Sequence, residues 1–191
     1  KRTIDFEYDF PFGQKELYGL AYRTDYDLKR HSEYSKVDLS YYDEENKEKF
    51  IPHCIEPSFG LDRTVLAVLS DAYTEDEMNG EKRIYLKFNS RMAPIKVAVF
   101  PLLRNKPELV SKATAIYQNL KKVIPAVTFD DNGNIGKRYR RQDEIGTPYC
   151  VTVDFETIEE NKGVTVRDRD TGKQERISET ELASYLQSKI Q

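Results

Sequence analysis

The hydrophobic pattern of the chain changes near residue 90, and this change limits the possible fold more than any other feature. Between Thr3 and Phe10, apolar and polar residues alternate with the two-residue period of a strand that has one buried face. From Pro94 onward, apolar strand-like runs alternate with helix-like segments, which is typical of an α/β layer fold. The sequence therefore predicts two domains, residues 1–91 and 92–191.

Shorter stretches of the pattern predict the individual elements. In the first domain we predict strands over 3–10, 16–22, 50–56 and 84–88, helices over 26–34 and 61–73, a loop over 43–49 and a connector over 74–81. In the second domain we predict strands over 95–100, 127–129, 149–153, 164–169 and 174–177, and helices over 107–123, 135–144 and 178–190. We expect Pro57 to end its strand and Asn79-Gly80 to form a turn.

Composition excludes several classes of protein. Charged residues make up 33% of the chain, and 13 tyrosines with 9 phenylalanines supply the bulky core material that disordered chains lack. No apolar run approaches the roughly 20 residues of a membrane span, and the first residues lack the apolar stretch of a signal peptide. We therefore expect a cytoplasmic protein with no membrane partner. Cys54 and Cys150 are far apart without metal-site spacing, so neither a disulfide framework nor a bound metal is predicted.

Charge is distributed unevenly along the chain. Residues 1–93 contain 14 Lys/Arg and 19 Asp/Glu, whereas residues 94–191 contain 16 and 14, so the net charges are −5 and +2. A mildly positive second half permits a phosphate-rich partner. It does not require one, because nucleic-acid-binding domains usually show a stronger bias.

A carboxylate, a hydroxyl, a glycine and an arginine lie close together in Ile55-Glu56-Pro57-Ser58-Phe59-Gly60-Leu61-Asp62-Arg63, between a predicted strand and a predicted helix. Gly60 would let the backbone approach a ligand, Arg63 would add a cation at the helix start, and Glu56 could neutralise an ammonium. These properties suit an amino acid and a triphosphate. The residues alone favour a structural interpretation, in which Ser58 caps the helix while Glu56 and Arg63 are solvated charges.

This segment, continued by Thr64-Val65-Leu66-Ala67, resembles motif 3 of class II aminoacyl-tRNA synthetases in the form found in glycyl-tRNA synthetases. The resemblance implies that glycine is bound by Glu56, Pro57, Ser58, Phe59 and Gly60. It implies that ATP is bound by Gly60, Leu61, Asp62 and Arg63, with Arg63 at the γ-phosphate. Upstream, the run from Glu16 to Leu28 resembles a family segment with an ATP-contacting Glu-Leu pair, which gives that role to Glu16 and Leu17.

Downstream segments resemble the class IIa anticodon-binding domain, namely residues 93–99, 133–148 and 164–170. The resemblance therefore covers practically the whole chain. It implies that residues 1–91 are the end of an antiparallel class II catalytic sheet with its motif 3 helix. Residues 92–191 would then be an anticodon-binding α/β domain with a mixed sheet, as in the bacterial dimeric type of these synthetases.

A basic cluster on the predicted helix 135–144 consists of Lys137, Arg138, Arg140 and Arg141 around Tyr139. Cations with an aromatic side chain suit contact with the tRNA backbone and stacking on its bases. Helical spacing also aims some of these side chains at Asp143, at Glu144 or at the sheet, so structural pairing stays open as an alternative.

The activity that the resemblance implies is the ligation of glycine to tRNA. Glycine and Mg²⁺-bound ATP form glycyl-adenylate, and the 3′ end of the glycine tRNA then takes the glycyl group. The implied partners are glycine, ATP, the glycine tRNA and a second copy in a homodimer. Motifs 1 and 2 are not found and Lys1 is not an initiator Met, so we expect a fragment that is inactive alone. The alternatives are a noncatalytic anticodon-binding fragment and an accessory module.

Overall fold

The computed structural model describes residues 2–78, 80–124 and 126–190. The chain divides by packing into two compact units, which meet between Asp71 and Ala72. This division falls before the predicted domain boundary at residues 91 and 92, because a hairpin that precedes that boundary packs within the second unit. The functional boundary itself stays a prediction. Within the described residues, no helix is long and apolar enough to cross a membrane.

The first unit is built around a three-stranded antiparallel sheet in the order β1-β2-β5. Its elements are β1 (Arg2–Phe10), β2 (Gly13–Thr24), α1 (Tyr26–Ser35), β3 (Tyr41–Asp43), β4 (Glu48–Phe50), β5 (Cys54–Phe59) and α2 (Leu61–Ala72). The predicted strands over 3–10 and 16–22 and both predicted helices are confirmed. The predicted loop over 43–49 is the turn of a small β3–β4 hairpin.

Pro57 lies inside β5, so the prediction that it ends the strand is wrong. In β5 the residue is paired with Leu20, and the strand continues to Phe59. Proline has no N–H to donate, and strands tolerate it at an edge, where one row of backbone groups has no neighbouring strand. Strand β5 is such an edge, because its only partner in the sheet is β2.

The second unit contains a five-stranded mixed sheet in the order β12-β11-β10-β8-β9. Its elements are β6 (Tyr73–Met78), β7 (Glu81–Leu86), β8 (Val97–Pro101), α3 (Pro107–Lys121), β9 (Val127–Phe129), α4 (Ile135–Glu144), β10 (Tyr149–Val153), α5 (Phe155–Glu159), β11 (Val164–Asp168), β12 (Gln174–Ile177) and α6 (Glu179–Ile190). Strands β9, β8 and β10 are parallel, whereas β11 and β12 are antiparallel to their neighbours. The predicted mixed sheet flanked by helices is confirmed.

Apolar side chains from this sheet and from α3 and α6 form one core. The helix α3 contributes Leu109, Ala113, Ile116 and Leu120, whose three- and four-residue spacing places them on one face. Leu182 and Leu186 of α6 join them. Periodicity alone therefore identified the inward face of α3.

The predicted connector over 74–81 is wrong, because most of it is strand β6, which pairs with β7. The sequence Tyr73-Thr-Glu-Asp-Glu-Met78 carries little apolar alternation, so its strand character depends on its partner rather than on its own residues. The predicted turn includes Asn79, which lies outside the described residues. The five-residue helix α5 was not predicted; the Asp154 carboxylate caps it by accepting from the Thr157 N–H at 3.1 Å.

A buried cluster of charges holds the β6–β7 hairpin against the rest of the second unit. The Asp143 carboxylate, 2% exposed, accepts two hydrogen bonds from Arg167 at 2.8 and 2.9 Å and one from Arg83 at 3.2 Å. Arg83 lies on β7 and also donates to the Arg169 carbonyl at 2.7 Å. Arg169 in turn donates to the carbonyl of Phe88 at 2.8 Å. The hairpin and the mixed sheet are therefore joined through side chains far apart in the sequence.

Replacing Asp143 with Asn should lower the free energy of unfolding of the second unit by about 3–5 kcal/mol, because two buried guanidinium groups lose their counter-charge. Urea unfolding followed by circular dichroism measures this. The matched control is Glu144→Gln, since Glu144 is exposed and faces Arg140 at 3.5 Å. That change should stay within about 0.5 kcal/mol. Equal stability of the two variants would show that the buried cluster contributes nothing net.

Candidate functional site

The pairing of β2 with both neighbours sorts the side chains of the first unit's sheet into two faces. Gly19 is paired with Asp5 on one side and Ser58 on the other, and Ala21 is paired with Thr3 and Glu56. Directly opposed residues in antiparallel strands project to the same side of a sheet. One side of the sheet, called here the polar face, therefore carries Thr3, Asp5, Gly19, Ala21, Glu56 and Ser58.

The opposite face is apolar and packs against helix α2. The Tyr8 hydroxyl donates to the Ala67 carbonyl at 3.3 Å, and the Tyr18 hydroxyl lies 3.0 Å from Thr64 Oγ1. These contacts fix the helix on this side and leave the polar face without cover from α2.

The residues predicted to bind glycine divide between the two faces. Glu56 and Ser58 lie together on the polar face, but Pro57 and Phe59 alternate with them and lie on the apolar side. The Phe59 ring packs edge-on against Tyr18, with 5.0 Å between ring centroids. The structure therefore does not bring the side chains of Pro57 and Phe59 together with those of Glu56 and Ser58.

The residues predicted to bind ATP meet at the end of β5. Leu17 is an extra residue in β2, because Phe6 is paired with Tyr18 and the next residue of β1 with Glu16. A Cβ atom at Gly60 would lie only 3.3 Å from the Leu17 carbonyl oxygen, so the two backbones approach closely. The Arg63 guanidinium donates to the Glu16 carbonyl and lies 3.8 Å from the Glu16 carboxylate.

Helix α2 begins directly after this point. The Thr64 N–H donates to the Gly60 carbonyl at 2.9 Å, which starts the helical hydrogen-bond ladder. Leu61, 75% exposed, and Asp62 occupy the first turn of the helix. Glu16, Leu17, Gly60 and Arg63 are thus brought together, and Leu61 and Asp62 extend the same end of the site.

At the other end of the polar face, Glu56 is already engaged by a cation. Arg23 Nε donates to Glu56 Oε2, and Asp27 lies 3.5 Å from the same nitrogen. The hydrogen bond from Arg23, followed by its charge, lowers the pKa of the Glu56 carboxyl. Glu56 is therefore held ionised, as a group that binds an ammonium must be.

Sequence reasoning missed Asp5, Gly19 and Arg23 as neighbours of the predicted site. Alternation along β1 and β2 places each on one side of its own strand, but it does not say which strand positions lie opposite each other. The signal that could have found them is the register between β1, β2 and β5, which depends on long-range pairing.

The basic cluster of helix α4 divides in a similar way. Arg138 is 1% exposed, and its guanidinium donates to the carbonyls of Pro101, of Asp131 at 2.9 Å and of Gly133 at 2.7 Å. It therefore ties together loops of the second unit. A contact from Arg138 to RNA stays a prediction, but its guanidinium is occupied by backbone carbonyls in this structure.

The other members of the basic cluster are nearer the surface. The Arg141 guanidinium donates to Asp130 Oδ2 at 2.6 Å, and its side chain is 41% exposed. The Arg140 side chain is 70% exposed and lies 3.5 Å from the Glu144 carboxylate, while Lys137 is exposed. Lys137, Arg140 and Arg141 are thus the members whose charges can reach a partner.

Within residues 2–78, 80–124 and 126–190, no three side chains of His, Cys, Asp or Glu come together closely enough to hold a metal ion. Cys150 is buried in the second unit, and burial raises the pKa of its thiol.

Comparison with known proteins identifies both the domain and the family. Residues 96–189 match the family model described as "Anticodon binding domain". The chain is 53% identical over 188 residues to a "Glycine--tRNA ligase" of Caldanaerobacter subterraneus subsp. tengcongensis, covering 98% of the chain. It is 51% identical over 191 residues to the "Glycine--tRNA ligase" of Clostridium acetobutylicum and 50% identical over 189 residues to that of Bacillus cereus, covering 100% and 99% of the chain.

The chain belongs to the glycyl-tRNA synthetase family. It spans 40% of the length of each of these three relatives. The family resemblance of the sequence is thereby confirmed, including the anticodon-binding domain in its second half. The match to the domain model begins at residue 96, after the β6–β7 hairpin that packs within the same compact unit.

Replacing Arg23 with Gln should raise the pKa of the Glu56 carboxyl toward its ordinary value, because the hydrogen bond and charge that lower it are removed. The change is measured as the pH dependence of the Glu56 side-chain carboxyl carbon shift by nuclear magnetic resonance. Asp27→Asn is the control, since it keeps the Arg23–Glu56 pair and should leave Glu56 lowered. A Glu56 titration curve that Arg23→Gln does not move would show that the pair is absent in solution.

Proposed function

We propose that this chain is the C-terminal part of a glycine–tRNA ligase. In this proposal, residues 1–91 are the end of the class II catalytic domain with motif 3, and residues 92–191 are the anticodon-binding domain. The names of the relatives and the domain match support it. The observation that carries the catalytic half is the register of β2 and β5. It places Glu56 and Ser58 on one open polar face, at whose end Arg63 reaches Glu16.

The proposed reaction has two steps. A carboxylate oxygen of glycine attacks the α-phosphorus of ATP, pyrophosphate leaves, and glycyl-adenylate forms. The 3′-terminal ribose hydroxyl of the tRNA then attacks the glycyl carbonyl and AMP leaves. ATP enters as its Mg²⁺ complex, which supplies charge neutralisation on the phosphates.

The chain's own residues act by positioning and by charge rather than by a covalent intermediate. Glu56, kept ionised beside Arg23, accepts the glycine ammonium, and the Ser58 hydroxyl offers a second polar contact on the same face. Arg63, anchored on the Glu16 carbonyl at the first turn of α2, places a fixed positive charge where a phosphate group can be held.

The second unit would contribute tRNA recognition. Its net charge is only slightly positive, so general attraction to phosphate is weak and specificity must come from contacts with bases splayed onto side chains. Lys137, Arg140 and Arg141 on α4 are the proposed contacts. We also propose that the intact enzyme is a homodimer.

Replacing Glu56 with Ala in the full-length ligase should raise KM for glycine by at least about tenfold and leave KM for ATP nearly unchanged, because the ammonium loses its counter-charge. Glycine-dependent ATP–pyrophosphate exchange measures both constants. Glu48→Ala, an exposed charge on β4, is the control and should behave as the parent. An unchanged KM for glycine would place Glu56 outside the binding site. Absence of exchange in the parent would refute the proposed reaction.

Single changes of Lys137, Arg140 and Arg141 to Ala should test the RNA surface. At least one should weaken binding of anticodon-arm RNA, and each lost phosphate contact should reduce the slope of binding against salt by about 1. Lys162→Ala is the control, since Lys162 pairs with Glu160 at 2.5 Å near α5. If all three variants stay folded by circular dichroism and bind as the parent does, the RNA surface lies elsewhere on the domain.

A further inference from the structure

Gly19 occupies the middle of β2, the central strand of the first unit's sheet. Glycine weakens a strand interior, because it adds chain entropy and offers no side chain to pack. A glycine at such a position marks a backbone conformation that only glycine adopts, a steric conflict, or the close approach of a ligand or another backbone. The structure allows these reasons to be separated.

Backbone conformation does not require glycine at this position. The positive φ angles among the described glycines are at Gly13, Gly80, Gly133, Gly146, Gly163 and Gly172, and Gly19 is not among them. Alanine could adopt the same conformation without strain.

Crowding within the chain does not require glycine either. A Cβ atom at Gly19 would lie 3.4 Å from Glu16 Oε1, 3.8 Å from Ser58 Cβ and 4.0 Å from Asp5 Oδ1, which are ordinary contact distances. Gly163 shows the contrast, since a Cβ there would lie 2.2 Å from the Ile177 carbonyl oxygen. The described part of the chain therefore has room for a methyl group at Gly19.

The surroundings of Gly19 indicate what the room is for. Its missing side chain would project from the polar face between Ser58, predicted to contact glycine, and Glu16, predicted to contact ATP. The two ion pairs of the face lie on either side of it, Arg23 with Glu56 and Arg63 with Glu16. A ligand that spans the two predicted subsites must pass over this backbone.

We propose that Gly19 is a specificity-determining residue that forms the floor of the amino-acid site. The aminoacyl end of the substrate lies directly on the β2 backbone between Ser58 and Glu16, and the absence of a side chain on Gly19 makes the space. This inference rests on the proposed function, because it takes glycine and ATP as the ligands of the two subsites.

The test is Gly19→Ala in the full-length ligase, with glycine-dependent ATP–pyrophosphate exchange as the readout. KM for glycine should rise by about tenfold or more, the effect of one misplaced methyl group in a closely fitting site, while KM for ATP stays as in the parent. The matched control is Gly136→Ala on α4, where a Cβ would meet nothing closer than Asn134 Oδ1 at 3.7 Å. Both KM values should be unchanged in that variant.

Thermal unfolding separates a ligand from the two other reasons for a glycine. In the 191-residue chain and in the full-length enzyme, Gly19→Ala should leave Tm equal to or above that of the parent. A lower Tm in the 191-residue chain would make Gly19 a packing residue. A lower Tm only in the full-length enzyme would mean that another backbone segment covers Gly19. Either result overturns the inference.

The kinetic outcomes distinguish the inference from the proposed function. An active parent whose KM for glycine is unaffected by Gly19→Ala overturns the role of Gly19 and leaves the proposed function standing. A parent without glycine-dependent exchange refutes the proposed function itself.

Discussion

The register of strand β2 between β1 and β5 is the constraint on which the first unit depends. A shift of one residue would move every side chain of β2 to the other side of the sheet. In the observed register, Tyr8 and Tyr18 reach helix α2, while Glu56 and Ser58 stay on the open polar face. The same pairing therefore builds the apolar contact that holds the helix and the polar surface that we propose binds substrate.

The second unit depends on a different kind of interaction, the buried charges around Asp143. Three arginines with at most 8% exposure, Arg83, Arg167 and Arg169, lie near this carboxylate or donate to nearby carbonyls. Buried charges are tolerated when each is paired and fully hydrogen-bonded. Because Arg83 comes from β7, this cluster makes a hairpin that precedes the anticodon-binding domain match a part of the same packed unit.

Periodic elements could be predicted from the sequence, but pairings could not. The inward face of α3 follows from helical spacing, and β1 from alternation. Strand β6 was missed, because its polar sequence is a strand only through its pairing with β7. The resemblance supplied Glu56 and Ser58 as site residues. Asp5, Gly19 and Arg23 become neighbours of these residues only through contacts between distant segments, and the burial of Arg138 depends on loops that the helical pattern does not describe.

The two sets of ion pairs differ in a way that matches the roles we assign to them. Arg23 and Glu56 have side chains 36% and 49% exposed, so their pairing contributes little free energy and can be exchanged for an incoming ammonium at small cost. Arg63 and Glu16 are similarly exposed at the other end of the polar face. Asp143, at 2% exposure, could not exchange partners without leaving a buried charge unpaired. Exposed pairs on an open polar face are therefore suited to substrate exchange, and the buried cluster is suited to holding a fold.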